Sequence, residues 1–181
     1  MLTSKLSPNL VFHNLHHTTA VAAAAMEIGT GSGLQAEELE LVTVAAWFHD
    51  TGYSCRYAGH EDASKQIASR FLRAQGVSAQ VEALVTACIE VTKQPQKPGS
   101  LAEQVLCDAD LSHLGKRCFQ VASQHLKKEI EAVRGIPIPD REWHRQNACF
   151  LESHTFFTPF ALRHYEEQKR INLQRERKLL C

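Results

Sequence analysis

Apolar positions recur with helical spacing along almost the whole chain, and no segment alternates like a strand between hairpin turns. This pattern predicts an all-α fold, a helical bundle of about seven to eight helices in a single domain over residues 1–181. The predicted helices cover approximately 15–28, 36–50, 60–71, 78–92, a segment starting at 101, and then 119–133, 141–154 and 159–178.

The second predicted helix is apolar on almost every side and ends in the adjacent pair His49 and Asp50. Gly52 follows two residues later, where a helix is expected to stop with a glycine in the left-handed conformation. The pair is therefore expected at the tip of a buried helix. Because a buried carboxylate without a partner is costly, the pair needs neighbours that satisfy it.

Two other helices supply candidate neighbours. His17 shares the inward stripe of the first helix with Val21 and Ile28, whereas the adjacent His16 falls on another face. In the fifth helix, Asp108 and Asp110 both lie beside apolar positions, and periodicity leaves the choice between them open. Two imidazoles and two carboxylates that meet at one point form a common ligand set for a divalent cation.

Composition narrows the range of functions. The 181 residues are enough for one domain with its own core, and Lys plus Arg equal Asp plus Glu at 20 each. A chain with no net charge has no overall field to attract nucleic acid or an anionic membrane, so a small-molecule substrate is expected, with no nucleic acid and no membrane as partner. Ten histidines favour a metal site.

The cysteines and the hydropathy profile predict a cytoplasmic protein. The six cysteines form no Cys-x-x-Cys pair and lie mostly among apolar neighbours, which indicates reduced, small core residues. The N-terminus does not resemble a secretory signal, and no apolar stretch approaches the roughly 20 residues of a membrane span.

The arrangement of His17, the pair His49 and Asp50, and Asp110 resembles the signature of the HD-domain metal-dependent phosphohydrolases, an all-α superfamily. The segment 12–17, Phe-His-Asn-Leu-His-His, is also similar to the His-Asn-x-x-His segment of cyclic-nucleotide phosphodiesterase catalytic domains. Ala-Asp-Leu-Ser at 109–112 resembles a second segment of those enzymes and favours Asp110 over Asp108. The likeness covers about residues 10–115, the expected metal-site core, and the C-terminal helices follow at about 119–178.

This resemblance implies a ligand set and a reaction. The implied metal ligands are His17, His49, Asp50 and Asp110. They would hold a divalent cation, Mn, Fe, Co, Ni, Zn or Mg, which activates water against a phosphoester of a nucleotide-like small molecule. His13 is the expected general acid, because it lies four residues before His17 and corresponds to the acid of the resembling phosphodiesterases.

His60 and Glu61 are expected to position the attacking water or to help bind a second ion. Four further histidines are interpreted as structural or exposed: His113, His125, His144 and His164.

The sequence departs from some branches of the superfamily. In the phosphodiesterases an acidic residue and a His closely follow the His-Asp pair, whereas here Thr51, Gly52 and Tyr53 intervene, so cyclic-nucleotide specificity is not implied. Two alternatives to an active phosphohydrolase stay open. One is a non-catalytic metal or nucleotide sensor with the same pocket. The other is an HD-type iron oxygenase, which is disfavoured because only His60 lies between the pair and Asp110.

Overall fold

A computed structural model describes residues 7–180, and this part of the chain forms eight α-helices and no β-strand. The all-α prediction is confirmed. The helices are α1 (Leu15–Gly31), α2 (Ala36–Phe48), α3 (His60–Ala74), α4 (Ala79–Glu90), α5 (Leu101–Asp110), α6 (Phe119–Arg134), α7 (Asp140–Ser153) and α8 (Pro159–Lys178). Within the described residues, no helix combines the length and apolar character needed to cross a bilayer.

Side-chain caps fix where the helices that carry the candidate site residues begin. The Asn14 side chain accepts hydrogen bonds from the backbone N–H groups of His16 and His17, which starts α1 directly before His17. Ser100 and Glu103 form a reciprocal capping box at the start of α5. Helices α1 and α5 begin at residues 15 and 101, where the sequence pattern predicted their starts.

The main core is formed mostly by small and branched apolar side chains from six helices, α1 to α5 and α8. α1 packs against α2 and α5, and α2 also packs against α4. Alanines are frequent in the contact faces of α1 and α2, and Ala25, Ala45 and Ala46 are completely buried. Small side chains allow the helix axes to approach closely. This close packing brings the start of α1 and the ends of α2 and α5 to the same place.

The prediction for Gly52 was wrong. The left-handed glycines of the described chain are Gly33, Gly59, Gly76 and Gly135. Helix α2 ends at Phe48, and Gly52 lies in a short 3-10 turn, Thr51–Ser54. A Cβ atom on Gly52 would lie 1.9 Å from the carbonyl oxygen of His60. Gly52 is therefore required for the close approach of α3, not for ending α2, and this approach brings the start of α3 against the His49–Asp50 pair.

The interpretation of the cysteines was correct for only some of them. All five described cysteines are free thiols. Cys88 and Cys107 are buried in the core, but Cys55, Cys118 and Cys149 are exposed. Cys118 and Cys149 each have an apolar residue beside them in the sequence, whereas Cys55 lies between two polar residues. Sequence proximity to apolar residues therefore did not predict burial here.

Candidate metal centre

Three helix ends meet at one point. His17 lies in the first turn of α1, His49 and Asp50 directly follow α2, and Asp110 is the last residue of α5. Their side chains converge, although 93 positions separate the first from the last in the sequence. We call these four residues the His/Asp cluster.

The distances within the cluster are short. The Nε2 atom of His17 lies 3.3 Å from Asp50 Oδ2 and 3.3 Å from Asp110 Oδ1. The Nε2 atom of His49 lies 3.1 Å from Asp50 Oδ2 and 3.5 Å from Asp110 Oδ1. Ligand atoms of His17, His49 and Asp110 all lie within 4.8 Å of one another, which is a spacing that one metal ion can span. The structure thus brings together all four residues that the sequence proposed as ligands.

The donor atoms of the cluster fit a bound cation. His17 Nε2, His49 Nε2 and Asp50 Oδ2 are buried and have no hydrogen-bond partner with acceptable geometry among the described residues. The other ring nitrogen of His49 donates to the carbonyl oxygen of Ala46 at 2.7 Å. In a neutral ring, this bond leaves the Nε2 lone pair directed into the cluster, which is the arrangement of a metal-binding histidine. Leaving such buried atoms unpaired is costly, and a cation would satisfy them.

The histidines and carboxylates of the cluster shift one another's pKa values. Burial alone would lower the pKa of His17, but the carboxylates of Asp110 and Asp50 raise it to about 9. Burial opposes ionisation of Asp50 as well, yet the adjacent His49 and His17 hold its pKa well below the usual range. The two carboxylates therefore stay ionised and favour positive charge between them. Ionised carboxylates are the form that binds a cation.

The structure places Asp110, and not Asp108, in the cluster. Asp108 points to the opposite side of α5 and holds the start of α8. Its Oδ1 atom accepts from the backbone N–H of Phe157 at 2.8 Å, and its Oδ2 atom accepts from the backbone N–H and the hydroxyl of Thr158 at 2.8 and 2.7 Å. Both oxygens of Asp108 thus have partners within the protein, which makes it a structural residue.

Asp108 and Asp110 are therefore expected to respond in opposite ways to replacement by Ala. D108A leaves three donors without an acceptor, two of them on the buried Thr158, and we expect it to lower the free energy of unfolding of the metal-free protein by about 2–4 kcal/mol. D110A should cost much less stability in the metal-free protein but should weaken metal binding. Urea denaturation and metal titration of both variants test this pair. Metal loss in D108A without loss of stability would contradict the assignment.

His60 and Glu61 lie beside the cluster at the start of α3. The Nε2 atom of His60 is 3.4 Å from Asp50 Oδ1, the carboxylate oxygen on the side away from His49. Glu61 Oε1 is 3.7 Å from the same nitrogen. The other nitrogen of His60 lies 3.2 Å from the carbonyl oxygen of Tyr57 and can donate to it. The predicted roles of this pair, positioning water or binding a second ion, both suit this location.

His13 lies outside α1, in the segment before it, and is held by a carboxylate that the sequence analysis missed. Its Nδ1 atom donates to Glu129 Oε1, and the backbone N–H groups of Phe12 and His13 donate to Glu129 Oε2 at 2.8 and 3.0 Å. The hydroxyl of Tyr57 adds a fourth bond to Glu129 at 3.2 Å. Glu129 is completely buried, yet these donors keep its pKa below the ordinary value against the effect of burial. The network fixes the orientation of the His13 ring.

The sequence carries only a weak signal for Glu129. It lies on α6, three residues after Leu126, and so falls on the same side of that helix as an apolar residue. Its partner His13 is 116 residues away, and nothing in the local pattern connects the two.

A cavity of about 200 Å³ opens next to the cluster. His13, Asp50, His60, Glu61 and Asp110 lie on its lining and make one part of it polar. Leu111, Leu126 and Phe150 add apolar surface, and the amide of Gln94 is also present. A cavity of this size holds a phosphate group and part of a small organic substituent.

His113 also lines this cavity, although the sequence analysis grouped it with structural or exposed residues. Its Nδ1 atom lies 3.1 Å from the carbonyl oxygen of Asp110. Burial, together with the nearby His17, lowers the pKa of His113 to about 4. His113 is therefore neutral near pH 7 and supports the end of α5 from within the site.

Comparison with known proteins agrees with the geometry. The HD domain family matches residues 14–115, which is more than half of the chain and includes every member of the His/Asp cluster. His13 and Glu129 lie outside the matched residues. A search of curated proteins found no match to this chain. Because the family matches and the fold is all helical, the chain belongs to the HD-domain superfamily of metal-dependent phosphohydrolases.

Proposed function

We propose that this protein is an active metal-dependent phosphohydrolase that cleaves a phosphoester of a nucleotide-like small molecule. The proposal rests on the His/Asp cluster, which borders the cavity. Three of its buried ligand atoms have no hydrogen-bond partner of acceptable geometry within the described chain. Membership of the HD-domain superfamily agrees with it.

His17, His49, Asp50 and Asp110 are the residues that would hold the cation. Mixed imidazole and carboxylate ligands suit Mn, Fe, Co, Ni, Zn and, less well, Mg. When bound, such an ion lowers the pKa of water and neutralises charge on phosphoryl oxygens. The chain therefore does not need a Ser or Cys nucleophile.

His60 and Glu61 are placed to orient the attacking water. They flank the Oδ1 side of Asp50 and line the cavity, so a water bound there has acceptors for its hydrogens. The Glu61 carboxylate would take one proton from this water as its oxygen attacks phosphorus. Without such a base, the proton would have to leave through solvent.

His13 is placed to protonate the leaving oxygen. Because its Nδ1 atom is bound to the buried carboxylate of Glu129, the other nitrogen is the one that exchanges a proton with the site. The buried carboxylate on Nδ1 fixes the tautomer and the orientation of the ring, as in other His-carboxylate pairs that perform acid–base catalysis.

The cavity supports a small substrate. A phosphate at the cluster would leave its organic part against Leu111, Leu126 and Phe150, with Gln94 available for a polar contact. Apolar walls with a few polar groups suit a nucleoside or a similar ring system. The absence of net charge in the sequence gives no support for a nucleic acid or a membrane as partner.

The proposal is tested with purified protein loaded with Mn²⁺, Co²⁺ or Ni²⁺. We expect it to release phosphate or a nucleotide product from at least one member of a panel of nucleoside mono-, di- and triphosphates, cyclic nucleotides and simple phosphodiesters. Removing the metal with a chelator should abolish turnover, and adding it back should restore turnover. A protein that is inert toward the whole panel would overturn the proposal.

The same experiment separates the alternatives. Thermal stabilisation by a nucleotide without turnover would identify a sensor. Oxygen consumption by the iron-loaded protein would identify an oxygenase.

A further inference from the structure

Tyr53 lies between two histidines of the site, and both faces of its ring are covered. The His13 ring stacks on it with centroids 4.3 Å apart and an angle of 21° between the planes. The His60 ring stacks on it at 3.8 Å and 17°. A ring enclosed in this way cannot also stack on a nucleobase. Its hydroxyl group is therefore the part of Tyr53 that remains for chemistry in the cavity.

This hydroxyl faces the reactive nitrogen of His13. The Tyr53 oxygen lies 3.3 Å from His13 Nε2, and Tyr53 also lines the cavity. Since Glu129 occupies Nδ1, every proton that His13 exchanges with the site passes through Nε2. A leaving oxygen must either displace the Tyr53 hydroxyl from Nε2 or receive the proton through it.

We propose that the Tyr53 hydroxyl delivers the proton to the leaving oxygen and is reloaded by His13. This inference rests on the proposed phosphohydrolase function and names a further catalytic residue for it. A proton-transfer chain then runs from the protein interior to the substrate through Glu129, His13 and Tyr53. The stack on His60 holds the Tyr53 ring in line.

The step is balanced in atoms and charge. The water oxygen forms a bond to phosphorus while the bond from phosphorus to the leaving oxygen breaks. The leaving oxygen takes the hydroxyl proton of Tyr53, and the Tyr53 oxygen takes the Nε2 proton of His13. The water proton passes to Glu61 and then to solvent, and His13 regains a proton from solvent before the next turnover.

The contact with His13 lets Tyr53 donate its proton without remaining a phenolate. An ordinary phenol has a pKa of about 10, so a phenolate is a poor product near pH 7. Tyr53 can therefore give up its proton only if another donor replaces that proton at once, and His13 is in contact for this.

The test is the Tyr53→Phe variant, which keeps the ring and its stacking and removes only the hydroxyl. It is assayed on phosphodiesters of thymidine 5′-monophosphate with 4-nitrophenol, phenol and methanol. 4-Nitrophenolate leaves without a proton, so kcat for this ester should fall by less than about 3-fold, whereas kcat for the methyl ester should fall by about 10–100-fold. His13→Gln should show the same dependence on the leaving group, and the double variant should lose no more than His13→Gln alone.

Tyr165→Phe is the matched control. Its hydroxyl contacts Glu27 at 3.3 Å, away from the cavity, so its removal should leave all three rates unchanged. A uniform loss across the three esters in Tyr53→Phe, or no loss at all, would overturn the relay while the phosphohydrolase proposal stands. A wild-type protein that cleaves none of these esters or the nucleotide panel would overturn the proposed function and the relay together.

Discussion

Replacing Asp50 with Ala is expected to abolish both metal binding and turnover. One oxygen of Asp50 faces His17 and His49, and the other faces His60, so a single side chain links the cluster to the water-positioning residues. A bound cation contributes several kcal/mol to stabilising the transition state. Because each 1.36 kcal/mol is a factor of ten in rate, kcat should fall by about 10³-fold or more.

Elemental analysis after dialysis, steady-state kinetics and circular dichroism check this expectation on the same preparation of D50A. Helix content should stay close to that of the wild type, because Asp50 follows α2 and caps no helix through its side chain. D62A is the control: Asp62 is an acidic residue of α3 that pairs with Lys65 and Lys93 at the surface, and its loss should change neither metal content nor rate. A stoichiometric metal content in D50A would show that the ion binds outside the His/Asp cluster.

Replacing Glu129 with Gln is expected to lower kcat by about 10²–10⁴-fold without loss of metal. The amide has the shape of the carboxylate, and its oxygen can still accept from the backbone of Phe12 and His13. Its NH₂ group, however, then faces His13 Nδ1 and the Tyr57 hydroxyl, which both donate to the Oε1 atom of the carboxylate in the wild type. The His13 ring then loses the acceptor of its Nδ1 hydrogen bond, so the tautomer with hydrogen on Nδ1 is disfavoured and the ring orientation is no longer fixed.

Glu176 provides the matched control for this variant. It is also completely buried and accepts from a histidine, His144 Nδ1, at 2.8 Å, but it lies on α8 and outside the lining of the cavity. E176Q should lower the thermal midpoint to a similar degree and leave kcat near the wild-type value. If E129Q and E176Q had equal rates, Glu129 would have no role in catalysis, and neither would its positioning of His13.

Much of the fold could be predicted because helical periodicity and caps are local. The pattern placed all eight helices, and α8 began and ended at the predicted residues. The prediction for Gly52 failed because a contact between two elements, and not a local signal, determines its conformation. A glycine after an apolar helix indicates a left-handed stop, but the space at Gly52 is limited by the backbone of His60 on the next helix. Local rules contain no information about a contact between elements.

The candidate site, like the fold, could be predicted from the sequence only in part. Amino-acid type and helical phase were enough to propose His17, His49 and Asp50, since metal ligands are a restricted set of side chains and helix ends are readable. They left Asp108 and Asp110 open, and the resemblance to the HD-domain enzymes favoured Asp110. In the structure Asp110 lies in the cluster, whereas Asp108 is held by partners at Phe157 and Thr158, about 50 residues further along the chain. Helical phase contains no information about that long-range contact.

The surroundings of His13 also depend on the tertiary structure. The sequence by itself determined the helices and the ligand types, and it offered His13 as a candidate acid. Only the packing of α6 against the segment before α1 brought Glu129 to His13, and only the turn after α2 inserted Tyr53 between His13 and His60. Hydrogen bonds and ring contacts between distant segments depend on how helices pack, and the periodicity that specifies each helix does not encode that packing.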